Sequence, residues 1–212
     1  MIRLHGYWRS GAAYRVRIAL ALKGIAYEQV SHDLRAGAQS APDYAALNPQ
    51  RLVPALEADG AVLTQSVAII EWLEERYPMP PLLPADLTAR ATVRALVATI
   101  ASDIHPLHNL RIGKALRAMG QDEAGVTAWN TRWFTDGFAA IEATVARHGA
   151  GFAIGSAPTI ADCFTVPALY SAARFGVDVG AFPHLVAAGR HAAALPAVQA
   201  AHPDLQPDAD PG

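Results

Sequence analysis

Arg9, Ser10 and Gly11 stand at the apex of the stretch Tyr7–Leu20, between an apolar run and a helical pattern. Residues 2–8 alternate loosely and end in aromatics, the pattern of a short strand. Residues 11–24 place Val16, Ala19, Leu20 and Lys23 at helical spacing and stop at Gly24, a fitting residue just past a helix end. Amide donors at a helix start, next to a hydroxyl and a guanidinium, suit a bound anion such as a thiolate. Ser and Gly also favour any strand-to-helix turn, so this chemistry needs support from residues downstream.

A second group lies in the later half. His105, His108, Asn109 and Ile112 fall at i, i+3, i+4 and i+7, which predicts one face of a helix kinked at Pro106. His105-x-x-His108 lacks a Glu between its histidines and a clear third ligand, so no metal site is expected. Arg9, Arg111 and Arg174 come from three separate segments, and each alone reads as a surface charge. Cys163 follows the capping box Thr159-Ile160-Ala161-Asp162 in an apolar helix and reads as a small buried hydrophobe. Trp129 and Trp133 read as core or interface packing.

The elements that must position these residues follow in order. Residues 26–32 read as a second strand, completing a parallel βαβ unit, and 34–49 as loop with a short helix near Tyr44–Leu47. Asp59-Gly60 between Val53–Glu57 and Ala61–Leu63 is a strong hairpin signal. Ser66 is the expected N-cap of a helix Val67–Tyr77. This βαβ–ββα order is that of a thioredoxin-like α/β domain over 1–80. Pro78, Pro80, Pro81 and Pro84 make 78–86 a stiff linker. Residues 88–118, 122–148, 159–175 and 183–194 are Ala-rich with helical periodicity, so 87–212 is expected to be an all-α domain with an irregular tail from 203.

Across 212 residues, 52% are hydrophobic and 17% charged, enough apolar material for a core. A net charge of −2 without a Lys/Arg run argues against nucleic acid or an anionic membrane surface as partner. One cysteine excludes an intrachain disulfide and fits a reducing compartment. The N-terminus does not read as a signal peptide and no apolar segment reaches spanning length, so a cytoplasmic location is expected.

A thioredoxin-like half, a Pro-rich linker and a helical half resemble a cytosolic glutathione transferase over nearly the whole chain. Within that superfamily Trp8-Arg9-Ser10, Arg15-Val16-Arg17-Ile18-Ala19, Asn48-Pro49-Gln50-Arg51-Leu52-Val53-Pro54 and Gln65-Ser66-Val67-Ala68-Ile69-Ile70-Glu71 are similar to the zeta class. So are Asp103-Ile104-His105-Pro106-Leu107-His108-Asn109-Leu110-Arg111 and Arg174-Phe175-Gly176-Val177-Asp178. That class includes maleylacetoacetate and maleylpyruvate isomerases, and the resemblance implies a homodimer with glutathione as cofactor.

By the same resemblance Val53 pairs with the cysteinyl backbone of glutathione ahead of a cis Pro54, Gln65 and Ser66 hold its γ-glutamyl end, and Gln39 and Gln50 are candidates for its glycyl end. Ser10 orients the thiolate, His105 and Asn109 line the pocket, and Arg9, Arg111 and Arg174 clamp a substrate dianion. Arg's planar fork suits that last task. The family's turn often reads Ser-Ser-Cys, whereas here it reads Ser10-Gly11-Ala12, without the cysteine. The implied activity is glutathione-dependent cis–trans isomerisation of a maleyl diketo acid, maleylacetoacetate first and maleylpyruvate close behind. A conjugating transferase or halo-acid dehalogenase using the same thiolate, and a non-catalytic binding module, stand as alternatives.

Overall fold

The computed structural model describes residues 1–210; Pro211, in the tail expected to be irregular, lies outside them. The chain divides into two compact units, one of Met1–Leu82 with the segment from Ala194 onward, the other of Leu83–Ala193. The tail therefore groups with the strand-bearing unit, whereas the sequence reading places it with the helices of 87–212.

The first unit runs β1 (Arg3–Gly6), α1 (Gly11–Leu22), β2 (Glu28–Ser31), α2 (Pro42–Leu47), β3 (Ala55–Ala58), β4 (Ala61–Thr64) and α3 (Ser66–Arg76). Its sheet has the order β2-β1-β3-β4, with β1 parallel to β2 and antiparallel to β3. Asp59 and Gly60 close the β3–β4 hairpin at φ 50° and 78°, as a two-residue turn matched to strand twist requires. At the end of α1, Gly24 at φ 66° donates to Ala21 O and Ile25 N donates to Leu20 O. Those two bonds satisfy carbonyls the helix leaves open.

Residues 11–20 of α1 are all buried, including Arg15 and Arg17. The helix packs against α3 and against a short tail helix, which becomes α9 (Pro196–Ala200) in chain order. The proline-rich segment after α3 is tied down by a buried lysine. Lys23 Nζ donates to Tyr77 O at 2.7 Å and Pro80 O at 3.0 Å and pairs with Glu74 Oε2 at 2.6 Å. An ammonium with three donors is tolerated in the core when all three are used.

In the second unit lie α4 (Leu87–Ala98), α5 (Leu110–Ala118), α6 (Glu123–His148), α7 (Ile160–Arg174) and α8 (Pro183–Ala193), around a core that includes Ile104, Phe134, Phe138 and Phe164. The single helix expected over 88–118 is broken. After α4 the chain widens into a π turn over Thr99–Ile104, tightens into a 3₁₀ turn over His105–His108, and restarts at α5. Pro106 supplies no amide to continue the ladder, and Asn109 is better suited to capping than to a helix interior. A Cβ at Gly137 of α6 would overlap the Ile104 side chain, so the glycine lets α6 approach the widened turn. The capping box at α7 forms as read, and Cys163 is fully buried.

Glu142 of α6 caps α8. Its Oε1 accepts from His184 N at 3.0 Å and lies 2.6 Å from His184 Nδ1, while Oε2 accepts from Leu185 N at 2.8 Å. Burial pushes the Glu142 carboxyl up, but the two amides and the imidazole pull it below the usual glutamate range. A carboxyl depressed in the fold contributes stability above its unfolded value of about 4.3 and loses it as pH falls through the lower folded value. Glu142→Gln should therefore lower the urea midpoint at neutral pH and weaken its acid dependence. Parallel pH profiles for the two proteins, followed by circular dichroism, would contradict that assignment.

Candidate active site

The turn at the end of β1 is closed by Ser10 N donating to Tyr7 O at 3.0 Å, which puts Trp8 and Arg9 at its apex. Ser10 is the N-cap of α1, with extended backbone, and its Oγ accepts from Ala13 N at 3.2 Å. A hydroxyl carries two lone pairs and one proton. Capping occupies a lone pair and leaves the proton for an anion set before the helix, where the α1 amides also favour negative charge. The structural and the chemical roles of Ser10 are compatible. Arg9, half-exposed, holds its guanidinium over the Trp8 ring at 5.3 Å.

The Val53–Pro54 bond is cis, as the resemblance implies, and the β3 ladder begins directly after it at Ala55. Tyr44 OH and Asn48 Nδ2 donate to Leu52 O at 2.6 and 2.7 Å, which fixes the peptide that leads into Val53. Ser66 is not the cap of α3. Gln65 takes that place at φ 68° and ψ 117°, and no side chain caps the helix. Ser66 becomes the first helical residue, and its Oγ accepts from Arg15 Nη1 at 3.2 Å. The Gln65 side chain swings to Gln50, Nε2 to Oε1 at 2.8 Å, so two of the predicted site amides meet.

Gln39 lies in a 3₁₀ turn over Ala38–Ser40, with its Oε1 buried and without a hydrogen-bond partner among the described residues. An α3 start lacking a side-chain cap and a polarised amide pair form a donor set for a ligand bearing carboxylates. Burial pushes the Arg15 guanidinium down to about 9, so it stays charged at neutral pH while it supports Ser66. Sequence reasoning gave Arg15 and Arg17 no role. The available signal was two arginines inside a helix whose other residues are apolar.

In the helical unit the expected stripe of His105, His108, Asn109 and Ile112 does not form on one helix, because the chain changes pitch between them. Asn109 is the N-cap of α5, its Oδ1 accepting from Arg111 N at 3.2 Å. His108 stacks on Phe134 at 4.5 Å and meets Phe175 edge-on at 5.4 Å, a packing role. His105 meets His108 edge-on at 4.9 Å. Trp129 Nε1 donates to Leu107 O at 2.8 Å and so pins the turn between them. Arg174, at the end of α7, lies 5.8 Å from the Tyr170 ring and 5.7 Å from Phe175. The Phe134–Phe175–His108 cluster thus ties the α7 end to the turn that precedes Arg111. Arg111 and Arg174 are both exposed.

The glutathione S-transferase N-terminal domain model matches residues 4–81. The maleylacetoacetate isomerase of Pseudomonas aeruginosa is 47% identical, over 98% of this chain and 98% of that protein. Among solved structures, a holo maleylpyruvate isomerase described as a bacterial zeta-class glutathione transferase superposes with TM-score 0.96 at 46% identity, covering 98% of this chain and 100% of that one. A maleylacetoacetate isomerase from Methylobacterium extorquens AM1, with bound malonate and glutathione, gives TM-score 0.93 at 40% identity, over 98% and 99% of the two chains. The chain belongs to the zeta-class glutathione transferases. Within that class it groups with the maleylacetoacetate and maleylpyruvate isomerases.

Proposed function

We propose that this chain is a glutathione-dependent cis–trans isomerase that converts a maleyl diketo acid to its fumaryl isomer. The strongest support is the full-length match to isomerases of this kind. The polar groups of the first unit fit the cofactor. Glutathione is a peptide with two carboxylates, an ammonium and a thiol, which matches an α3 start open at Gln65 and Ser66, the acceptor Gln39 Oε1, the Gln50–Gln65 pair, the peptide at Val53 and Pro54, and the spare Ser10 proton. We assign these residues to its binding, together with His105 and Asn109.

When bound, glutathione supplies a thiolate that adds to the conjugated double bond, frees it to rotate, and departs unconsumed. Ser10 donates its hydroxyl proton toward that sulfur, and the α1 amides add to the local positive field; both favour the ionised form. Arg9, Arg111 and Arg174 take the substrate carboxylates, because a dianion is best held by planar, permanently charged forks. As the sulfur adds, negative charge moves to the substrate's carbonyl side, where arginine or His105 donors stabilise it most. The absence of a cysteine at Ala12 leaves the nucleophile to the cofactor alone.

Maleylacetoacetate, from tyrosine breakdown, is the first substrate proposed, and maleylpyruvate, with its shorter chain, the second. A cytoplasmic homodimer is the form proposed for the working enzyme. Proton NMR of the product formed with catalytic glutathione tests the reaction class. Vinylic protons with the trans coupling, and a constant glutathione signal, are expected; accumulation of a glutathione thioether would replace the isomerase with a conjugating transferase.

A further inference from the structure

The turn that presents Ser10 is held by residues far from it in sequence. Trp8 N donates to Asp208 Oδ2 at 3.0 Å, across a separation of 200 residues. Asp208 is itself oriented, for Gln29 Nε2 of β2 donates to its Oδ1 at 2.6 Å. From the other side Arg17 Nη2 donates to Trp8 O at 2.8 Å, while Arg17 Nε donates to Ala201 O at 3.1 Å. The tail that carries Asp208 is folded back by Gln206, whose Nε2 donates to His202 O at 2.8 Å, and tied at its end by Arg35 Nη2 to Asp210 Oδ2 at 3.0 Å.

Around the turn the backbone bonds form a tight set. Tyr7 O accepts from Ser10 N, Trp8 N gives to Asp208, Trp8 O accepts from Arg17, and Ser10 O accepts from Tyr14 N at 2.9 Å. Trp8 is 2% exposed, so water is poorly placed to replace a lost acceptor for its amide. Without Asp208 that amide regains a partner only if the turn twists toward solvent, and Ser10 sits two residues further along the same turn. A charged acceptor on an apex amide makes one of the stronger hydrogen bonds available to a turn.

We propose that Asp208 is a positioning residue for this reaction: the C-terminal tail sets the pose of the Ser10 hydroxyl through the Asp208–Trp8 bond. This rests on the reading of Ser10 given above. Asp208 touches neither cofactor nor substrate in this role, and its effect reaches the chemistry through the acidity of the bound thiol.

The test compares wild type, Asp208→Ala, Asp208→Asn, Gln29→Leu and Ser10→Ala as full-length proteins. Titrating the ultraviolet absorbance of the bound thiolate against pH gives the thiol pKa in the glutathione complex, and steady-state rates give kcat and KM. Asp208→Ala should raise that pKa and lower kcat about tenfold at neutral pH, with KM for glutathione within about twofold of wild type. Asp208→Asn should stay near wild type, since its amide oxygen still accepts from Trp8 and the Gln29 amide can turn over to face it. Gln29→Leu should shift the thiol in the same direction by less, and it serves as the deciding variant should Asp208→Ala not fold.

A thiol pKa unmoved in Asp208→Ala or Gln29→Leu, alongside a clear shift in Ser10→Ala, would overturn the role of Asp208 and leave Ser10 intact. So would an Asn variant as impaired as the Ala one. A thiol pKa unmoved even in Ser10→Ala would remove the Ser10 reading and the Asp208 role with it.

Discussion

Arg111→Ala and Arg174→Ala should each lower turnover of the maleyl acid by about a hundredfold or more while changing glutathione affinity by less than about threefold. On the role proposed for them, each substitution removes a charge-assisted fork from a dianion, a loss of the order of 3 kcal/mol, or about two decades in rate. The arginines belong to the helical unit, whereas most of the residues assigned to the cofactor lie in the strand-bearing unit. The two affinities should therefore separate. Lysine at either position should restore little, because a point charge on a flexible stem does not reproduce planar two-point recognition. Steady-state kinetics beside calorimetric titration of glutathione reads both quantities. An equal loss of turnover and of glutathione affinity would reassign the residue to the cofactor.

Asp162→Ala should cost about 3–5 kcal/mol of folding stability, the largest single effect expected outside the active site. The Asp162 carboxylate is 1% exposed and collects three bonds: Ala153 N to Oδ1 at 2.9 Å, Thr159 N to Oδ2 at 2.8 Å and Thr159 Oγ1 to Oδ2 at 3.2 Å. Burial holds its carboxyl above the usual aspartate range, and those donors offset only part of the rise. Truncation leaves two backbone amides dry and unpaired and takes the acceptor from the Thr159 hydroxyl proton, while the Thr159 oxygen keeps its bond from Ala161 N. Asparagine is a poor replacement, since its amide end would face a donor. Urea denaturation measures the loss, and a change below about 1 kcal/mol would mean that water reaches the site.

Local chemistry made some features readable in advance. The Asp59-Gly60 hairpin, the Gly24 stop of α1 and the Thr159–Asp162 capping box each depend on residues adjacent in sequence, and each forms as read. The cis bond at Val53–Pro54 was accessible only through family resemblance, because a proline opening a strand fits the same letters. Residue type predicts the α3 cap at Ser66, one residue beyond where it lies. Ser is the better intrinsic cap, but the unusual backbone of Gln65 takes that position while Ser66 meets buried Arg15. Periodicity predicts only a kink at Pro106 where the chain breaks over 99–109, since it registers apolar spacing and not a change of pitch. Least legible were the Arg17 and Asp208 contacts to the Ser10 turn, for no local pattern joins partners so far apart.

A ligand captured sulfur-first and released unspent leaves a signature that simple bookkeeping of thiol can detect. The decisive measurement follows the ultraviolet absorbance of each maleyl acid with glutathione far below the substrate concentration, while free thiol is titrated over the same interval. Many substrate molecules converted per glutathione, at constant free thiol, is the outcome expected for an isomerase. Thiol disappearing one-for-one with substrate, or conversion at the same rate without glutathione, would contradict it.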